Sequence, residues 1–75
     1  MNIEKNQIIT LNNNNTYYVA STVNYMGNLH ALLINVNEDN DHIIIKQTNE
    51  SNEINIIQNE KKLAILALLL QNNLY

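Results

Sequence analysis

Two histidines, His30 and His42, and a run of carboxylates, Glu38, Asp39 and Asp41 with Glu50 and Glu53 downstream, are the side chains here most suited to holding a metal ion. Counted from Asp39, Glu50 stands at the twelfth position of a calcium loop, where a bidentate glutamate belongs. Such a loop also needs an oxygen ligand at its fifth position and glycine at its sixth, and Ile43 and Ile44 stand there. The run therefore reads as a solvated turn. Structural zinc takes four ligands; two histidines, each opening a strand in a chain without cysteine, do not supply them, and both read as surface or rim residues. No metal and no cofactor is expected.

Nucleophilic chemistry has little to work with. Neither Ser21 nor Ser51 is flanked by the glycines of a nucleophile elbow. The single glycine, Gly27, cannot build a phosphate-cradling or dinucleotide-binding loop. A non-enzymatic protein is expected. Tyr17, Tyr18 and Tyr25 could form a base-stacking platform on a sheet, but alternation turns Tyr17 and Tyr25 to the core and leaves Tyr18 alone outside, as a candidate for a partner surface. The net charge is −3, with four lysines and no arginine. Lys5, Lys46, Lys61 and Lys62 are scattered, so no basic stripe exists to displace counterions from a nucleic acid or to hold an anionic membrane. A nucleic-acid-binding sheet is the reading this balance favours least.

The elements that position these residues follow from hydrophobic alternation. In "YYVASTVNY", Tyr17, Val19, Val23 and Tyr25 share one face with Ser21 among them, which is the pattern of a half-buried strand. A two-residue turn at Gly27-Asn28 would pair Val19 with Val36, Ser21 with Ile34 and Val23 with Leu32, gathering the large aliphatics on one face. Upstream, a three-residue loop at Asn13 to Asn15 would pair Leu11 with Tyr17 and Ile9 with Val19, asparagine tolerating the left-handed backbone that such a loop needs. Downstream, "NEDND" and "NESN" are polar turns around the strand "HIIIKQT", and "EINII" is a short last strand. Asn59 can then cap a helix with Glu60 in its first turn, while Lys61 and Lys62 sit slightly unfavourably against its dipole. The expectation is an α+β domain over residues 1–75: an antiparallel meander of four to five strands, near 7–11, 16–26, 29–36, 42–48 and 53–57, and a helix near 60–72 packed on one face.

Residues Leu63 to Leu70 hold no polar side chain. Eight helical residues rise about 12 Å against a hydrocarbon core of about 30 Å, so the segment cannot span a bilayer. Leu63, Leu66, Ala67, Leu70 and Leu74 make a stripe that one sheet face can cover. Ile65, Leu68 and Leu69 lie outside it and mark an interface. With no apolar stretch of signal-peptide length at the N-terminus, a cytoplasmic location is expected.

The block "YYVASTVNYMGNLHALLINVNEDNDHIIIKQ" resembles small uncharacterised proteins of low-GC Gram-positive bacteria and their phages, which share a Val- and Tyr-bearing strand, a glycine turn, a second strand ending near Asn and an acidic turn. The resemblance covers about half the chain and brings no catalytic residues with it. It implies a phage or mobile-element accessory protein. A small chain without disulfides often gains stability by association, so a homodimer formed through Ile65, Leu68, Leu69 and Tyr18 is the leading expectation. The alternative partner is a host protein: an inhibitor of anti-defence or anti-CRISPR type would present Glu38, Asp39, Asp41, Glu50 and Glu53 to a nucleic-acid enzyme in place of phosphates.

Overall fold

The computed structural model describes residues 3–11, 14–48 and 54–72. Five antiparallel strands, β1 (Ile8–Thr10), β2 (Thr16–Tyr25), β3 (Asn28–Asn35), β4 (His42–Gln47) and β5 (Ile54–Ile56), form one curled meander sheet in chain order, followed by helix α1 (Glu60–Asn72). The α+β meander with a C-terminal helix read from the hydrophobic pattern is thus the fold. Its edge strands are short: β1 and β5 have three residues each. One further backbone bond, from the Ile57 N–H to the Ile44 carbonyl at 2.8 Å, extends the guard along β4.

The registers differ from the expected ones. The tight turn after β2 is Met26-Gly27, not Gly27-Asn28. Both central residues have positive φ (51° and 82°), which defines a type I′ turn, and Asn28 opens the next strand opposite Tyr25. A type I′ turn carries the right-handed twist that its flanking strands need. Val23 therefore meets His30 rather than Leu32, and Ser21 meets Leu32 rather than Ile34. Upstream, Ile9 faces Tyr17 instead of Val19. There the Leu11 N–H bonds the Asn15 carbonyl at 3.0 Å, and Asn14 adopts the left-handed φ of 66°. The Val19 amide and carbonyl pair instead with Gln7 and Asn6 (2.9 and 2.8 Å).

A larger departure lies inside β2. The ladder shifts register between Val19 and Ser21, where Val19 pairs with Leu33 but Ser21 pairs with Leu32. Ala20 is the extra residue of a β-bulge, and a bulge breaks the alternation of side chains across the sheet. Tyr17 and Val19 therefore do not share a face with Ser21, Val23 and Tyr25. Two cores result. On one face, Tyr17, Val19, Ala31, Leu33 and Ile45 are enclosed by the curl of the sheet, with Ile3 and Ile9 packed among them. On the other, Leu66 and Leu70 of α1 lie on Ile44, flanked by Val23, Tyr25, Leu32, Ile57 and Leu63. The three consecutive isoleucines of β4 are explained by this arrangement, since Ile45 enters the first core and Ile44 the second.

The helix begins as its sequence dictates. The Asn59 side-chain oxygen accepts the Lys62 N–H at 3.1 Å, and the Asn59 carbonyl accepts the Leu63 N–H at 2.9 Å. Near its other end, the buried Ser21 hydroxyl donates to the Leu70 carbonyl at 2.6 Å. The last carbonyls of a helix lack partners within it, so this bond both satisfies one of them and pins α1 to the sheet. The bulge aims Ser21 at the helix.

Candidate interaction surface

Packing α1 through Leu66 and Leu70 turns the opposite stripe outward, because residues three and four apart share a helix face. Leu68 is 66% exposed and Ile65 45% exposed, and both belong to that stripe; Leu69 is half-buried at its side. Of the inner stripe anticipated for the helix, Leu63, Leu66 and Leu70 do face the sheet, but Ala67 is exposed and Leu74 lies outside the described residues. Tyr18 is elsewhere. It is half-buried on the sheet, in a cross-strand row with Ile34 and with Ile8, which is 60% exposed. The four residues expected to make one interface thus fall on two surfaces, the outer side of the helix and the sheet.

Beside the helix, an open cleft of about 340 Å³ runs between α1 and β4–β5. Leu32, Ile44, Ile56, Ile57, Leu63 and Ala67 line it, with Ile43 and the ring of His42 at the same wall. His42 is exposed, as expected, and its Nε2 hydrogen-bonds the Asp39 carbonyl. Such a lining offers apolar contact and little polar chemistry.

The acidic turn is more structured than its composition suggests. The Tyr17 hydroxyl and the Asn35 side-chain amide both donate to Oδ2 of Asp41, at 2.9 and 3.0 Å. Asn35 Oδ1 in turn accepts the Asn37 N–H at 2.8 Å. The Asp41 N–H closes the turn onto the Glu38 carbonyl at 2.9 Å. Bonds from Asn35 and then Tyr17 hold the Asp41 carboxyl below its ordinary range, because both favour the charged form. Asp41 is therefore ionised and occupied in fixing the turn. Glu38 and Asp39 remain exposed beside it, while Glu50 and Glu53 lie outside the described residues. Asn35 and Tyr17 are buried partners of Asp41 that no residue spacing announced.

His30 corrects a second expectation. It is buried rather than at the rim, opposite Val23 and Lys46 on the helix side of the sheet. Its Nδ1 lies 3.0 Å from the Asn28 carbonyl, which can only accept, so Nδ1 carries the proton of the neutral ring. The ring also meets Tyr25 edge-on, with centroids 5.8 Å apart. Burial pushes its pKa down, the bond to Asn28 opposes this, and Lys46 and Lys62 add to the lowering. A neutral histidine with these neighbours is a core residue.

Among the described residues, no three His, Asp or Glu side chains come together as a metal site, and no helix is long and apolar enough to cross a membrane. No known family matches the sequence, and no characterised protein or solved structure shows significant similarity to the chain.

Proposed function

We propose that this chain is a non-enzymatic protein-interaction module that works as a homodimer, in the setting of a phage or mobile-element accessory. The observation that carries this reading is the outward stripe of α1, where Leu68 and Ile65 stand in water on the side facing away from both cores. Exposed apolar groups clustered on one helix face mark an association surface. Each aliphatic side chain fully covered there contributes about 1.5–3 kcal/mol. A second copy supplies a matching face at no cost in new sequence.

Light scattering behind gel filtration tests the reading. A dimer is expected, with Leu68→Glu yielding a folded monomer, since Leu68 belongs to neither core. A wild-type protein that stays monomeric at the highest attainable concentration rejects it. The acidic-inhibitor reading has the exposed Glu38 and Asp39 in its favour. It loses Asp41 to the turn that Asp41 holds.

A further inference from the structure

We infer that the two copies meet through antiparallel α1 helices, with Lys61 of each seated over the C-terminal end of the other. This rests on the homodimer reading above and specifies its geometry. The outward stripe is Lys61, Ala64, Ile65, Leu68 and Asn72, all exposed. Its apolar centre is Ile65 and Leu68, and its two ends are unlike: a cation at the start and a neutral amide at the finish. A twofold axis midway between Ile65 and Leu68 places Ile65 against the second copy's Leu68 on both sides of the axis. The same axis brings Lys61 opposite the second copy's Asn72. Ala64, the small residue of the stripe, leaves room for close approach of the two helices.

Charge selects this direction over the parallel one. Lys61 and Lys62 sit in the first turn of α1, where the helix carries partial positive charge, so they are misplaced with respect to their own helix. The last turn carries partial negative charge and holds no basic residue. Antiparallel pairing moves each Lys61 to the end that lacks a cation. Parallel pairing sets Lys61 against its own copy and stacks like ends of the two dipoles. One stripe on a single helix falls short of the roughly 800 Å² per partner of standard interfaces, so association is expected to be reversible and concentration-dependent.

A charge exchange tests the direction. Lys61→Glu and Asn72→Lys each suit their own helix dipole, so neither is expected to unfold the monomer. Sedimentation equilibrium at low salt should show each single variant dimerising roughly threefold to tenfold more weakly, because two equivalent contacts are altered per dimer. The double variant Lys61→Glu/Asn72→Lys should recover wild-type affinity, since the carboxylate introduced at the helix start then faces the ammonium introduced at the helix end of the second copy. A dimer whose double variant is no better than the singles overturns the antiparallel arrangement while leaving the homodimer standing. A wild-type chain that does not dimerise removes both.

Discussion

Ser21 is the side chain on which the attachment of the helix turns. Its hydroxyl is buried and donates to the Leu70 carbonyl at 2.6 Å. A buried carbonyl stripped of its partner retains its full desolvation cost. Ser21→Ala should therefore destabilise the protein by about 1–3 kcal/mol, read as a lowered urea midpoint. Amide exchange should accelerate in the last turns of α1 more than in β3. A substitution without effect on either would mean that water takes the hydroxyl's place. In the sequence Ser21 stood out only as a polar residue on a supposedly apolar face. Its partner lies 49 positions away, beyond the reach of any local pattern. The same holds for Asn35 and Asp41, whose types suggest a turn but not the Tyr17 hydroxyl that completes it.

At the scale of elements, the hairpin between β2 and β3 combines a well-suited and an ill-suited residue. Gly27 takes φ 82° freely, whereas Met26 is held at φ 51° with its side chain 81% exposed. The left-handed region costs a residue with an ordinary side chain roughly 1–2 kcal/mol, and asparagine much less. Met26→Asn creates the Asn-Gly pair favoured in type I′ turns and should stabilise the fold by about 1 kcal/mol, measured by thermal or urea unfolding. Gly27→Ala should destabilise it even though nothing lies within 4 Å of an added Cβ, because the strain is in the backbone. Strand order and the helix were legible because polar turns and the Asn59 cap bracket the apolar runs of β2, β3, β4 and α1, while the pattern left four or five strands open. The turn position was not, since Met26 advertises no tolerance for positive φ. Nor was the bulge. Parity arguments assume unbroken alternation, and Ala20 is too ordinary a residue to announce that it breaks there. One unseen bulge turned a single expected core into two.

The whole molecule carries its charge balance into a stability profile. A domain of this size is held by about 0.05–0.15 kcal/mol per residue, so single titrations are visible. Unfolding lets His30 take up a proton that burial resists, so stability is full above its ordinary value of 6.5 and declines as pH falls through the lowered folded value. Asp41 also resists protonation in the fold, so its contribution is whole above 3.8 and is lost as pH drops below that. Urea melts from neutral to acid pH should show two successive declines. His30→Gln should remove the upper one and Asp41→Asn the lower. A single decline surviving both substitutions would place the acid sensitivity elsewhere.

The brevity of β5 has a consequence for the protein's behaviour when it is concentrated. Behind its three residues lies β4, where Ile43, Ile44 and Ile45 follow one another and Lys46 is the strand's one lysine. Should β5 lift away, β4 would present a bare row of amides along an isoleucine-rich edge, the kind of template on which cross-β fibrils grow. The short latch of β5 and the charge of Lys46 are thus the two features that guard this edge against pairing with another chain.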